Sequence, residues 1–301
     1  MTVTTTVTSA RRSAPGRFAT EVVRHGVRAV GAVTAARRPG PDLLVVGTKR
    51  GGTTSLWRYL GQHPGVLPLF PAAEHLKGLY YFDVHYDRGE RWYRSHFASD
   101  TARRRHQREL GYAPIAAEAS PYYLFHPLAP ARARATVPDA RIVVLLRDPV
   151  ERAFSHWKER RRHTETLTFG EAVAAESLRI RGEEMRLRTD PSAVSFAHRH
   201  QSYLAQGRYS SMLERWRSAF PAEQIDVVVS EEFFADPQRT VDQLTGALGL
   251  PRHPLGSVEA FNAAPSPDMD PEVRAMLRRH FAPEVDRLEY LLGRELPWPR
   301  S

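Results

Sequence analysis

Short, uninterrupted apolar runs alternate along the chain with longer stretches in which apolar residues recur at helical spacing. Leu43-Leu44-Val45-Val46, Ile142 to Leu146 and Ile225 to Ser230 have the length and branched composition of strands buried on both faces. A fourth run, Ile115 to Ala119, is built of small residues and carries a carboxylate, Glu118, near its end. Helical patterns follow from Thr53, from Pro149, from Ser210 to Phe220 and from Asp236-Pro237 to Leu248. This alternation predicts an α/β protein with a central parallel sheet and helices on both faces, a three-layer α/β/α architecture. His63-Pro64 closes the first helix, and Leu67 to Ala73 reads as a proline-bearing loop. Tyr80-Tyr81-Phe82 reads as a buried aromatic strand, Phe169 to His200 as charged helix with solvated faces. Two final helices are expected, Pro271–Phe281 and Pro283–Leu292, divided by the second proline.

Composition narrows the picture in three places. The chain has 301 residues and no cysteine, so disulfides, thiolate catalysis and cysteine metal sites are excluded. Its net charge is +9, but residues 1–40 hold seven arginines against one acid, Glu21. The remainder is close to balanced, which argues against a broad nucleic-acid-binding face. Residues 1–40 therefore read as a basic extension, disordered at first and helical over 17–38, and residues 41–301 as a single domain. The stretch 17–38 carries Val22, Val23, Val27, Val30 and Val33 toward one side, which allows a peripheral membrane contact. A secretory signal and a bilayer-spanning run are not read in the sequence, and the expectation is a cytoplasmic enzyme. The arginine and alanine bias suggests a bacterial source. Of the 43 basic residues three are lysine, Lys49, Lys77 and Lys158, each in a stretch with candidate chemistry.

The first of those stretches is Asp42 to Leu60, DLLVVGTKRGGTTSLWRYL. Strand, glycine loop and helix N-terminus in that order make an anion site. Gly51 and Gly52 let backbone approach closely, and unpaired N–H groups of the first helical turn point outward. Thr53, Thr54 and Ser55 add hydroxyl donors; Lys49 and Arg50 add charge. The spacing of Gly47 and Gly52 fits a Walker A loop, which would make the protein a nucleotide kinase, but Thr53 stands where that motif has its lysine.

GTKRGGTTSLWRYLGQHP, residues 47–64, resembles the 5′-phosphosulfate loop of sulfotransferases that use 3′-phosphoadenosine 5′-phosphosulfate (PAPS), especially the heparan-sulfate-type branch. The resemblance implies a P-loop NTPase-like fold and a lysine at the loop that stabilises the leaving oxygen; Arg50 occupies that position, and Lys49 lies one residue earlier. It also implies a Lys-Glu-x-His-Phe-Phe segment whose glutamate is the general base. Here Lys77 and Phe82 match, while Gly78 replaces the glutamate and Tyr80 the histidine. Glu118-Ala119-Ser120-Pro121-Tyr122-Tyr123 resembles the family's acceptor-side Glu-Lys-Ser-Pro-x-Tyr, making Glu118 the leading candidate for the base, ahead of Glu74, His75 and Glu159. Arg147-Asp148-Pro149, Arg152, Ser155 and Trp157 resemble the 3′-phosphate site, with Arg147 and Ser155 as ligands and Arg152 as a structural ion-pair partner. Tyr209, in Gly207-Arg208-Tyr209, corresponds to a tyrosine near the adenosine. The segment 261–270 stands where the family has a basic loop over the nucleotide, and lacks cations here.

The expected activity is sulfuryl transfer from PAPS, with 3′-phosphoadenosine 5′-phosphate (PAP) as product and no metal. The acceptor is a hydroxyl of a small molecule, glycolipid or glycan. Lys49, Arg50, Lys77 and Glu118 are the expected catalytic residues. Lys49, Arg50, Gly51, Gly52, Thr53, Thr54, Ser55, Arg147, Ser155 and Tyr209 are the expected nucleotide ligands. The alternatives are the nucleotide kinase and a PAPS-binding family member that has lost catalysis with the glutamate at position 78.

Overall fold

A computed structural model describes residues 28–257 and 268–300. The expectations for residues 1–16, for most of the basic stretch 17–38 and for most of the loop 261–270 fall outside the described residues. In chain order the strands are β1 (Leu43–Gly47), β2 (Val66–Leu67), β3 (Ile115–Ala119), β4 (Arg141–Leu146) and β5 (Ile225–Val229). The α-helices that follow β1 are α1 (Thr53–Leu60), α2 (Gly89–Arg94), α3 (Asp100–Leu110), α4 (Ala129–Thr136), α5 (Pro149–Arg161) and α6 (Phe169–Arg179). They continue with α7 (Glu183–Thr189), α8 (Phe196–His200), α9 (Tyr209–Ala219), α10 (Ser230–Ala235), α11 (Pro237–Gly246) and α12 (Pro271–Leu292). Residues 28–33 are helical as well, with Val30 and Val33 exposed.

The strands form one parallel sheet in the order β2-β3-β1-β4-β5. Alternation along each strand sends its side chains into two separate cores. Leu44, Val46, Ile142, Val144 and Leu146 pack with Ala129 and Ala133 of α4, Met212, Leu213 and Trp216 of α9, and Val285 and Leu288 of α12. Leu43, Val45, Ala117, Val143 and Leu145 pack with Leu56 and Leu60 of α1, Phe233 of α10, and Val241 and Leu244 of α11. Two apolar faces explain why the central strands are apolar throughout. β5 lies at the edge, and there Asp226 pairs with Arg141 of β4. The strand order divides at β1: β3 and β2 lie to one side, β4 and β5 to the other. Parallel sheets leave a crevice at such a division, beyond the strand C-termini. Both candidate anion motifs sit there.

Two sequence expectations need correcting. Tyr80-Tyr81-Phe82 forms a turn, with Tyr80 at φ +51°. Side chains from the end of β3 take the place of a strand ladder: Leu79 N–H donates to Glu118, Tyr80 N–H to the Ser120 hydroxyl and Tyr81 N–H to the Tyr123 hydroxyl. The last two helices are one, Pro271–Leu292, with Pro283 inside it. The helix tolerates one missing hydrogen bond because Leu277, Phe281, Val285 and Leu288 keep a continuous buried face across the proline.

Candidate functional site

β1 delivers the glycine loop to the crevice. Gly47 has no room for a side chain, since a Cβ would stand 2.4 Å from Leu124. Thr48 N–H donates to the Leu145 carbonyl at 2.6 Å, tying the loop to β4. Gly51 N–H donates to the Thr48 carbonyl at 2.9 Å, and the Ser230 hydroxyl donates to the Gly51 carbonyl at 2.6 Å. Gly52 turns the chain into α1 at φ +89°, where L residues are strained, and no side chain caps the helix start. The N–H groups at that start are thereby left for an anion.

Cations converge on this turn from three segments. Lys77 Nζ donates to the hydroxyls of Thr53 at 2.9 Å and Thr54 at 3.0 Å. Burial, and secondly the Arg50 charge, lower its ammonium to about 8. Arg50 Nε donates to the Ser155 hydroxyl at 3.1 Å, joining the first loop to the first turns of α5. Burial also lowers the Arg50 pKa, with Glu159 opposing. Arg147 Nη1 donates to the Arg50 carbonyl at 3.3 Å. α5 is itself firmly begun: Asp148 accepts from Val150 N–H at 2.9 Å, Pro149 follows it, and Asp148 pairs with Arg278 at 2.7 Å. The structure thus brings Arg50, Thr53, Thr54, Lys77, Arg147 and Ser155 into one connected set.

Lys49 turns elsewhere. Its Nζ bonds the Arg199 carbonyl and His200 Nδ1, each at 3.2 Å. Burial is the main reason its ammonium falls to about 7; Glu159 raises it, and Arg160, Arg199 and Arg152 lower it further. His200 Nδ1 also lies 2.7 Å from Arg160 Nη1. With a cationic donor and an amine both directed at Nδ1, that nitrogen accepts and the ring is neutral. Burial, Lys49, Arg199 and Arg160 together push His200 down to about 3. The Arg199 guanidinium lies over the rings of Tyr80, at 4.8 Å, and Tyr122, at 5.6 Å.

Three expected residues hold different places from those read in the sequence. Glu118 is fully buried and accepts from Leu79 N–H at 2.9 Å, Tyr93 OH at 2.7 Å, Ser120 OH at 2.6 Å and Tyr123 OH at 2.8 Å. Such a carboxylate ties segments together and has no face toward an acceptor, so Glu118 leaves the head of the list of bases. Tyr209 is also buried, its hydroxyl donating to the Arg147 carbonyl at 2.8 Å; it holds the turn that presents Arg147. Arg152 is fully buried and bonds backbone, donating to the carbonyls of Lys49 and Tyr203, where an ion pair was expected.

Among the other base candidates, Glu74 is held by both nitrogens of the Arg28 fork, at 2.9 and 3.0 Å. Glu159 lies 3.7 Å from Arg160, and one of its oxygens is buried without a hydrogen-bond partner. Position 78 has no room for the family's glutamate: a Cβ there would stand 2.3 Å from the Ala119 carbonyl and 2.6 Å from the Ser120 hydroxyl. Sequence reading missed Arg160, in the helix that follows the second anion motif, and Arg199 and His200, at the end of the stretch read as charged helix. It also missed Asp83, a buried carboxyl raised to about 7, chiefly by desolvation.

Comparison with known proteins agrees with this arrangement. A profile described as the Sulfotransferase family matches residues 41–254, spanning both loops. The chain is 28% identical over 296 residues to the mouse bifunctional heparan sulfate N-deacetylase/N-sulfotransferase 1, covering 87% of this chain and 31% of that protein. It is 25% identical over 325 residues to the Dictyostelium discoideum membrane-associated sulfotransferase kil1, covering 86% and 66%. It spans about a third of the mouse enzyme, so the match concerns one part of that longer protein. The crystal structure of a sulfotransferase from Alicyclobacillus acidocaldarius superposes with a TM-score of 0.61 at 31% identity, covering 85% of this chain and 97% of that one. The parallel sheet, the two loops where its strand order divides and the family match from residue 41 to 254 make one conclusion: the chain is an enzyme of the sulfotransferase family, with its P-loop-like fold.

Proposed function

We propose that the enzyme transfers a sulfuryl group from PAPS to a hydroxyl on a small-molecule, glycolipid or glycan acceptor, releasing PAP. The observation that carries the reading is the bond from Arg50 to Ser155, which makes one continuous cationic and hydroxyl surface out of two strand–turn–helix units. A nucleotide with phosphates at both its 3′ and 5′ positions has the charge distribution to occupy both. The donor set fits such a ligand. Gly51, Gly52, Thr53, Thr54 and Ser55 offer backbone and hydroxyl donors to the 5′ end, while Arg147 and Ser155 offer a guanidinium fork and a hydroxyl to the 3′-phosphate. Arg50 and Lys77 are the cations this reading assigns to the negative charge that builds up as the sulfuryl group departs; Lys77 is held at the start of α1 by Thr53 and Thr54, and preorganised cations at such a charge lower the barrier. The heparan sulfate relatives favour a glycan acceptor.

Calorimetric titration with PAP, with ATP–Mg as the control, tests the reading. PAP is expected to bind tightly. Arg147→Ala should weaken it by about 10–100-fold, the worth of hydrogen bonds to a charged partner, and Ser155→Ala by roughly fivefold. Binding of ATP–Mg without PAP would restore the nucleotide kinase and remove this proposal. PAP binding without sulfation of any acceptor in a broad panel would favour an inactive scaffold.

A further inference from the structure

We infer that Lys49 takes the proton from the attacking hydroxyl, filling the role that position 78 leaves vacant. The inference rests on the PAPS reading above and assigns a residue within it. A general base needs a lone pair, a position at the reacting edge and freedom from a competing partner. Glu118 has four donors, Glu74 is held by Arg28, and Gly78 has no side chain and no room for one.

Lys49 has what these lack. A neutral amine carries two N–H bonds and one lone pair. Two partners are present, the Arg199 carbonyl and His200 Nδ1, and both accept. Nδ1 is held as an acceptor because Arg160, a donor only, bonds it at 2.7 Å, and Lys49 at 3.2 Å shares the same lone pair. Among the described residues no third acceptor bonds Nζ, so the remaining valence suits a lone pair better than a third N–H.

The surrounding charges agree. α5 contributes Arg152, Arg160, His156 and Glu159, and α8 contributes Arg199 and His200. Three guanidiniums stand against one carboxylate, and His156 is buried, with its pKa far below the ordinary histidine value. With burial added, the balance holds Lys49 near neutrality, where a base is most effective.

Its location also separates it from the electrophiles. Arg50 points to Ser155 and Lys77 to Thr53 and Thr54, whereas Lys49 is bound to the segment whose Arg199 covers Tyr80 and Tyr122. Those two aromatics follow Lys77 and β3 at the C-terminal edge of the sheet, on the side of β1 away from β4. Adjacent loop residues thus serve two sides of one reaction. The acceptor O–H gives its proton to Nζ as its oxygen forms the new bond to sulfur. The sulfur–oxygen bond to the nucleotide's 5′-phosphate breaks, and its electron pair stays on that phosphate oxygen, facing Arg50 and Lys77. Lys49 ends the turnover as an ammonium and returns its proton to water.

The test uses the full chain, PAPS as donor and water as the acceptor, following PAP release across the pH range in which Lys49 titrates. Lys49→Arg keeps the positive charge and cannot give it up. The wild-type rate should rise with pH and level off above a midpoint near 7; in Lys49→Arg the rise should vanish and the plateau fall by about 100-fold or more, with PAP affinity retained. Carbon-13 NMR of labelled lysine gives a readout apart from turnover. With three lysines in the chain, one signal should titrate near 7 and be missing from Lys49→Arg. Glu159→Gln should move that midpoint downward, because the carboxylate raises the Lys49 pKa. A Lys49→Arg enzyme that keeps the rise and the rate overturns the inference alone, as does loss of the rise in Glu159→Gln while Lys49→Arg keeps it. A wild-type protein that does not bind PAP removes the donor reading, and this inference with it.

Discussion

Glu118 and Lys49 are both ionisable side chains brought into the interior near the C-terminal edge of the sheet, and their surroundings are opposites. Every direction around the Glu118 carboxylate is filled by a donor from a separate segment: the 77–82 turn, α2 and the end of β3. Around Lys49 the polar inventory does not close. Among the described residues, buried atoms without a hydrogen-bond partner gather on α5 beside it: both ring nitrogens of His156, Arg152 Nε, Arg160 Nε and one Glu159 oxygen. Native interiors satisfy nearly all such atoms, so a local concentration of exceptions marks a place shaped for something besides stability. The other such atoms among the described residues are spread singly over Asp83, Arg103, His198, Arg215 and Trp216, so it is the clustering beside the glycine loop that sets this region apart from the scaffold around Glu118.

The sharpest way to break that contrast is Glu118→Ala. It strands two tyrosine hydroxyls, a serine hydroxyl and the Leu79 N–H in a dry interior. The expected loss is on the order of 4 kcal/mol or more, since each stranded donor costs about 1–3 kcal/mol. Urea unfolding would measure it. Glu118→Gln, which keeps the shape and most of the accepting capacity, should lose far less. Its folded fraction should bind PAP as the wild type does and release PAP from PAPS at a similar rate. A large fall in rate in Glu118→Gln with stability intact would return Glu118 to the role of base.

The sequence carried the first half of this contrast poorly and the loops well, for a physical reason. Strand, glycines and hydroxyls of the 43–60 stretch are contiguous, and their chemistry follows from local spacing; the same holds for Arg147 to Ser155. A carboxylate at a strand end has one appearance whether it is a base or a tie-point. The difference lies in Tyr93, 25 positions earlier, and Leu79, 39 positions earlier. Lys49 meets His200 across 151 positions, from a stretch whose charges suggested solvated helix. Part of that stretch is as expected: Arg186 pairs with Glu183 and Arg188 with Glu184 at the surface. The fold was legible for the same reason as the loops, because apolar runs report burial directly. The errors came where side chains replace backbone partners, as at Tyr80 to Phe82, or where packing overrides a proline, as at Pro283.

The second contrast to sharpen is energetic. Lys49 has a folded pKa of about 7 against an ordinary 10.5, so between those values the unfolded chain holds a proton that the folded protein lacks. Stability without ligand should therefore rise as pH increases through this window and be insensitive to Lys49 below it. Lys77 adds a rise that begins nearer 8. In Lys49→Met the part of the rise between about 7 and 8 should disappear, and the variant should be more stable than wild type at the acid end of the window. Denaturant midpoints measured across the window provide the check. An unchanged slope would mean that the ammonium is solvated in the folded protein, and that the incomplete polar burial around it has been overstated.

The smallest effect separates the scaffold from the site within one residue. Tyr209 reads in the sequence as a nucleotide contact, while its buried hydroxyl donates to the carbonyl of Arg147. Tyr209→Phe keeps the ring in the core and removes that one bond, at a cost of about 1 kcal/mol in urea unfolding. The Arg147 guanidinium would lose some of its fixed position, and PAP affinity should fall by roughly two- to fivefold, well short of the loss in Arg147→Ala. The two losses belong to the same interaction, so the double variant should bind PAP no more weakly than Arg147→Ala alone. Additive losses would mean that Tyr209 reaches the nucleotide by itself, and that the boundary between holding the site and being the site lies one shell further in.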